Sequence, residues 1–145
     1  MSKPIFGFLS AWGAHLAACL QYNLGLMCEH GGGNEDFARA AQWYEKAAAN
    51  GHARAQFSLG LLFYNGQGAE QDYAAARALW EKAAAQGHSL AQYNLGVMYN
   101  NGEGVWRDLK KAREWYGKAC ENGLQQGCAK YRELTMIIGS HGMDA

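Results

Sequence analysis

The sequence is poor in proline and has no net charge, and both features restrict what it can encode. Its single proline is Pro4, so no proline interrupts a helix over the rest of the chain. Lysine plus arginine number 13, as do aspartate plus glutamate, and the pI is about 6.9. This balance argues against nucleic-acid binding, which needs a concentrated basic surface. The one basic cluster, Arg107, Lys110, Lys111 and Arg113, has the spacing of a solvated helix face.

The short motifs of common catalytic and metal sites are also missing. There is no His-x-x-x-His, no Cys-x-x-Cys and no Gly-x-Ser-x-Gly. The glycine run at residues 31–33 lacks the Lys-Ser/Thr pair of a phosphate-binding loop. His52 and His88 occupy equivalent positions after a helix-ending glycine, which predicts structural roles in turns. We therefore predict that the chain is not an enzyme and has neither a cofactor nor a metal site.

What the chain does contain is one pattern that occurs three times. The tetrapeptides at residues 22–25, 57–60 and 93–96 recur at spacings of 35 and 36 residues. Each is followed by Gly-x-Gly, then an aspartate, then an alanine-rich segment that carries aromatic residues. A period of this length is typical of stacked supersecondary units that cannot bury their apolar faces singly.

The second copy shows why each unit should be a helical hairpin. Ala55, Leu59 and Leu62 fall on one stripe of a 3.6-residue period, which predicts an amphipathic helix. Gly60 lies inside that helix, where glycine costs about 1 kcal/mol relative to alanine. Because all three copies contain this glycine, we expect the partner helix to approach closely there. Asp72 is placed to cap the second helix.

The repeated pattern resembles a known family. It reads Ala-x-x-x-Leu-Gly-x-x-Tyr-x-x-Gly-x-Gly-Val-x-x-Asp-x-x-x-Ala-x-x-Trp-Tyr-x-Lys-Ala-Ala-x-x-Gly-His, and residues 91–123 match nearly every position. It is similar to the Sel1-like repeat family, a relative of the tetratricopeptide repeats, over roughly residues 20–135. The resemblance implies an all-α fold, a right-handed α/α solenoid of three helix-turn-helix repeats with N- and C-terminal capping helices.

The expected organisation is a single Sel1-like repeat domain over residues 1–138 followed by a disordered tail. The capping segments are residues 1–20 and 128–138, and the tail is residues 139–145. The repeats are residues 21–55, 56–91 and 92–127. Three helix pairs and the C-terminal cap predict seven helices.

The tetratricopeptide analogy also implies which residues face a concave binding groove on the first helices of the repeats. Aromatic and amide side chains at such positions suit peptide recognition. The alternative is that the aromatic residues of the set pack between adjacent repeats. The candidates are Tyr22, Asn23, Leu26, Glu29, Arg54, Phe57, Ser58, Leu61, Tyr64, Tyr93, Asn94, Val97 and Asn100.

The cysteines suggest a crosslink in the third repeat. Cys120 and Cys128 replace an alanine and a glutamine of the other copies, at the junction of two helices where side chains can meet. This Cys-x7-Cys spacing resembles the secreted cysteine-rich proteins of Helicobacter, which implies a disulfide. Two buried thiols in a reducing cytoplasm are the alternative. Cys19 and Cys28 are too far apart along one helix to bond each other.

Residues 4–28 contain no Asp, Glu, Lys or Arg, and they allow two interpretations. The preferred one is a capping helix over about residues 8–30 that packs Phe8, Leu9, Trp12, Leu16 and Leu20 over the first repeat. The other is a lipoprotein signal with lipidation of Cys19, which follows Leu-Ala-Ala. A transmembrane span is not expected, because glycines and polar residues dilute the segment.

The function that the resemblance implies is a non-catalytic adaptor that holds a protein or peptide partner in the groove. The alternative is a cell-envelope, cysteine-rich Sel1-like protein with a structural, peptidoglycan-binding or β-lactam-binding role. We expect neither nucleic acid nor an integral membrane span, and a monomer or weak homodimer. Cytoplasm and cell envelope both remain open as locations, and a disulfide between the last two cysteines would favour the envelope.

Overall fold

The computed structural model describes residues 3–142, and their side chains from Ser10 onward. Within this range the chain forms seven helices and no strand, as the sequence predicts. The helices are α1 (Lys3–Glu29), α2 (Asn34–Ala49), α3 (Ala53–Asn65), α4 (Tyr73–Ala85), α5 (Ser89–Asn101), α6 (Leu109–Glu121) and α7 (Gln125–Gly142). The chain divides into two compact units, Met1–Ala76 and Arg77–Ala145, with the boundary inside α4.

In the first unit, α1 packs against α2 and α2 packs against α3. Small and large side chains alternate in its core, which allows the helices to approach closely. Ala40, Tyr44 and Ala47 of α2 are completely buried, as is Ala55 of α3. Burial of this α2 stripe, rather than helix propensity alone, holds the helix in place.

The second unit repeats the arrangement with a further helix. Here α5 packs against α6, and α6 packs against α7. Its core contains Trp80, Leu95, Met98 and Tyr116, each at most 1% exposed. Leu134 of α7 is buried against Tyr116, so α7 covers the outer side of α6 as a capping helix should.

The repeated glycine of the first helices lies where the second helix approaches most closely. An added Cβ on Gly96 would lie 2.6 Å from two ring atoms of Tyr116, and one on Gly25 would collide with the Tyr44 ring. Both distances are too short for any real side chain, so only glycine fits against the buried tyrosine. The close approach predicted from the sequence is confirmed at these two positions.

Histidine and aspartate side chains cap the helices. His52 Nδ1 accepts a hydrogen bond from Ala55 N at 3.2 Å, at the start of α3. His88 makes the same bond at the start of α5. Asp108 accepts from two backbone N–H groups at the start of α6, so each cap satisfies otherwise unpaired donors. The structural role predicted for the two histidines is confirmed.

The disulfide between Cys120 and Cys128 is present, with the two Cα atoms 4.6 Å apart. It replaces a hydrogen bond that occurs at the same position of the other repeats. Gln92 Nε2 donates to Ala84 O at 3.1 Å, and Gln56 makes the corresponding bond to the end of α2 at 3.3 Å. The disulfide therefore links α7 to α6, as the glutamine hydrogen bonds link α3 to α2 and α5 to α4.

The two ends of the chain differ from expectation. The helix expected over about residues 8–30 is present within α1, but the packing expected of its apolar side chains is not. Trp12, Leu16 and Leu20 are 61%, 58% and 66% exposed, so their predicted packing over repeat one is wrong. The side chains of Phe8 and Leu9 lie outside the described residues. At the other end α7 includes residues 139–142, so the expectation of a disordered tail is wrong for these four residues; residues 143–145 are not described.

Replacing Gly96 with alanine should destabilise the protein, because the new methyl group must displace the Tyr116 ring or separate α5 from α6. The expected loss in the free energy of unfolding is about 1–3 kcal/mol. Urea denaturation measures it. Gly139→Ala is the matched control, since nothing lies within 4 Å of that Cβ and alanine favours a helix. Equal effects of the two substitutions would contradict the steric explanation.

Removing the disulfide should lower the free energy of unfolding by about 2–3 kcal/mol, the chain-entropy value for so short a loop. We expect the double variant Cys120→Ala, Cys128→Gln to regain about 1 kcal/mol of this loss through the glutamine bond of the other repeats. Cys120→Ala with Cys128→Ala is the reference. Urea denaturation without reductant compares the three proteins, and identical stability of both double variants would show that glutamine does not substitute for the crosslink.

Acid should weaken the cap of α3. Burial, followed by the nearby positive charges of His15 and Arg54, holds the pKa of His52 below its ordinary value of 6.5. The unfolded chain therefore binds the His52 proton more readily than the folded chain, so this contribution to stability is complete above about pH 6.5 and falls as the pH drops below it. His52→Asn keeps a capping side chain that does not titrate. Melting temperatures between about pH 8 and pH 5 should fall further for wild type than for the variant, whereas parallel curves would rule out this role.

Candidate functional site

Nine of the predicted binding residues lie in the first unit, on helices α1 and α3, and we call this set of residues the α1–α3 face. None of the nine is buried; Asn23 and Arg54 are exposed, and the others are half-buried. The face comprises Tyr22, Asn23, Leu26 and Glu29 of α1, with Arg54, Phe57, Ser58, Leu61 and Tyr64 of α3.

Buried Tyr44 of α2 connects the two helices of this face. Its hydroxyl donates a hydrogen bond to Glu29 Oε2 at 2.8 Å, and it also bonds the Ser58 side chain. Burial, reinforced by the Glu29 carboxylate, raises the pKa of Tyr44 above its ordinary value of 10. The phenol is therefore neutral at any physiological pH, and it is a hydrogen-bond partner of both Glu29 and Ser58.

Tyr22 lies beside this cluster and contacts the start of α3. Its ring stacks on His52 with the centroids 4.7 Å apart, and it lies 5.7 Å from the Tyr44 ring. These contacts join α1 to the N-terminal cap of α3. Tyr22 thus has a packing role inside the first unit while part of its side chain stays accessible.

The four candidates of the second unit all lie on α5 and are half-buried. Tyr93 and Val97 pack against the cluster formed by Ala112, Tyr116 and Leu134, with the two tyrosine rings 5.2 Å apart. Their contacts are those of a helix-packing surface. Asn94 and Asn100 are the polar members of this set.

One exposed residue was missed by the sequence reasoning. Trp106, in the loop between α5 and α6, is 95% exposed. It lies at a depression of about 380 Å³ that is also lined by Arg77, Tyr99 and Lys111. Comparison of the repeats points to this residue, because the second copy has Glu70 at the corresponding loop position. A large aromatic residue is unusual on such an exposed surface.

Two negative observations apply to the part of the chain that the structure describes. No group of three or more His, Cys, Asp or Glu residues is arranged there to hold a metal ion. Of the helices in residues 3–142, none combines the length and the apolar character that crossing a bilayer requires.

Comparison with known structures supports the helical repeat fold. A Sel1 repeat protein from Oxalobacter formigenes is 34% identical and superposes with a TM-score of 0.73, over 79% of this chain and 47% of that one. A protective antigen of uropathogenic Escherichia coli that displays an SLR fold is 38% identical, with a TM-score of 0.71 over 77% of this chain and 24% of that one. The chain thus spans less than half the length of either protein.

Cysteine-rich protein B of Helicobacter pylori is a more distant match. It is 20% identical with a TM-score of 0.62, over 82% of this chain and 95% of that one, and this likeness concerns the fold. The sequence matches none of the curated proteins with which it was compared.

The family model named Sel1 repeat matches three consecutive segments, residues 20–52, 53–88 and 89–124. These segments agree with the three helix pairs α1–α2, α3–α4 and α5–α6. The structural matches show the same fold, so the predicted resemblance and fold class are confirmed. This chain belongs to the Sel1 repeat family.

Proposed function

We propose that this chain is a non-catalytic adaptor that binds a segment of a partner protein on the α1–α3 face. Sel1 repeat proteins are generally scaffolds for protein interactions and are typically not enzymes. Their usual partners are proteins. The proposal adds a specific surface and specific side chains to that general role.

The observation that carries the proposal is the hydrogen bonding of Tyr44. Glu29 and Ser58 are accessible polar groups on two different helices, and one buried phenol orients both. A surface whose polar groups are already held in place loses less side-chain entropy when a ligand binds. Pre-organised polar groups are expected on a surface that binds a ligand, and a surface that contacts only water does not need them.

The chemistry of the face indicates what it would bind. Arg54 is an exposed cation near the start of α3 and suits a carboxylate, while Asn23 can bond to a peptide backbone. Half-buried Phe57 and Leu61 offer apolar area on the same helix as Arg54. We propose as ligand an extended segment that carries an acidic group and at least one apolar side chain.

In the second unit, considered by itself, we propose that the two amides of α5 contact a partner and that their apolar neighbours have a packing role. Tyr93 and Val97 contact the core of the second unit, which supports a packing role for them. Asn94 and Asn100 supply donors and acceptors on the same helix. Arg107 donates to Asn100 O at 2.9 Å and so anchors the end of α5.

The adaptor proposal can be tested with peptides selected from a random display library against the intact chain. The double variant Asn23→Ala, Arg54→Ala should weaken the selected peptides at least about tenfold, or about 1.4 kcal/mol, because both anchors are lost. Its melting temperature should stay close to wild type, because both side chains are exposed. Fluorescence anisotropy of a labelled peptide measures the binding.

The matched control removes an arginine and an amide from another helix. Arg39→Ala with Gln42→Ala changes two exposed residues of α2 and should leave peptide affinity unchanged. An equal loss of peptide affinity in both double variants would mean that the substitutions do not act through the α1–α3 face. A selection that enriches no peptide, or peptides that tolerate the loss of both anchors, would reject the α1–α3 face.

One observation favours a second candidate, a cell-envelope protein. The disulfide between Cys120 and Cys128 is of the kind that persists in oxidising compartments. Under this alternative the protein would be retained on peptidoglycan or acylated by a β-lactam. Intact mass of the protein from its own host, before and after reduction and alkylation, tests the premise, since a fully reduced protein would remove the support for it.

A further inference from the structure

The exposed surface of α1 carries a pair of metal-ligand side chains that the adaptor role does not use. Cys19 Sγ lies 3.9 Å from His15 Nε2, one helical turn away. We propose that two copies of this chain bind one zinc ion between them, and that each copy contributes His15 and Cys19.

The separation of the two atoms fits a shared zinc ion. Zinc binds a cysteine sulfur at about 2.3 Å and a histidine nitrogen at about 2.0–2.1 Å. In a tetrahedral site these bond lengths place the sulfur and the nitrogen about 3.6 Å apart. The observed 3.9 Å needs only a small side-chain adjustment, and spacing at i and i+4 on a helix is the standard way to present two ligands on one face.

One copy cannot complete the site by itself. Structural zinc takes four protein ligands, and in the portion of the chain that is described no third His, Cys, Asp or Glu joins this pair. Two copies related by a two-fold axis supply two cysteines and two histidines, one of the usual structural zinc sets. A second copy of this chain therefore supplies the two ligands that one copy lacks.

An apolar stripe beside the pair gives the second copy a surface to cover. Trp12, Leu16 and Leu20 follow one another at i, i+4 and i+8 and are 61%, 58% and 66% exposed. Together they expose roughly 400 Å² per copy, so two copies would bury about 800 Å², below the range of a stable interface. Apolar contact alone is thus too weak to hold the dimer, and the metal supplies the remaining affinity.

Charge also permits this contact. Residues 4–28 contain no Asp, Glu, Lys or Arg, so α1 itself brings no like charges into a contact between two copies. Zinc binding deprotonates each Cys19 thiol, with release of the proton to solvent, and uses the neutral form of His15. The two thiolates neutralise the charge of the zinc ion. No redox step is involved.

The decisive experiment is sedimentation velocity of the intact chain with and without zinc, under argon and without thiol reductants, which bind zinc themselves. Wild type should be largely monomeric in EDTA and should become a dimer when one zinc ion is added per two chains. Replacing zinc with cobalt should produce the thiolate-to-cobalt charge-transfer absorption and the visible bands of a tetrahedral site. Zinc bound as one ion per monomer, or a dimer of equal strength in EDTA, would overturn the proposal.

Matched variants separate the ligands from the apolar stripe. His15→Gln and Cys19→Ser should each abolish the zinc-dependent dimer and the cobalt spectrum, whereas Cys28→Ser should preserve both, although it removes the other free thiol. Leu16→Glu leaves the ligands in place but puts charge on the stripe, so it should weaken the dimer at least tenfold. Dimerisation of the His15 and Cys19 variants with zinc would show that the ligands lie elsewhere.

Discussion

The contact on which the repeat depends is that between a glycine and a buried aromatic ring. There is no room for a Cβ atom on Gly25 or Gly96, because the rings of Tyr44 and Tyr116 pack directly against the glycine backbone. Glycine at this position costs about 1 kcal/mol in helix propensity relative to alanine. The close contact that it permits allows a large ring to be completely buried between small residues. In the first unit the same Tyr44 carries the hydroxyl that orients Glu29, so the packing constraint and the candidate binding surface depend on one residue.

Successive helices are joined by side chains that bond to helix ends. Histidine caps the start of α3 and α5, and glutamine ties those helices to the end of the preceding one. In the third repeat a disulfide takes the position of the glutamine. The geometry is close enough that an added Cβ on Gly127 would lie 2.9 Å from Cys120 N. A hydrogen bond and a covalent bond thus serve the same purpose at equivalent positions, and the covalent form has the further effect of restricting the unfolded chain.

Much of the fold could be predicted because a pattern that recurs at a fixed period indicates identical structural units stacked in order. Helical periodicity, the glycine after each leucine and the Gly-x-Gly turns predicted seven helices and the close approach at the glycines. The failure came at α1, where Trp12, Leu16 and Leu20 have the spacing of a buried stripe but are exposed. Periodicity shows that residues share one face of a helix and does not show what covers that face. The same limit applies to Trp106, whose exposure depends on the path of a loop.

The sequence by itself determined the local features: the number and order of the helices, the turns between them, and which cysteines lie opposite each other across a tight turn. These depend on neighbours within a few residues, whose spacing is set by backbone geometry. Only the tertiary structure decided that Tyr44 bonds both Glu29 and Ser58, and that Tyr22 stacks on His52. Those residues are distant along the chain. Their distances in space follow from how closely the helices pack, which is the outcome of all the core contacts together.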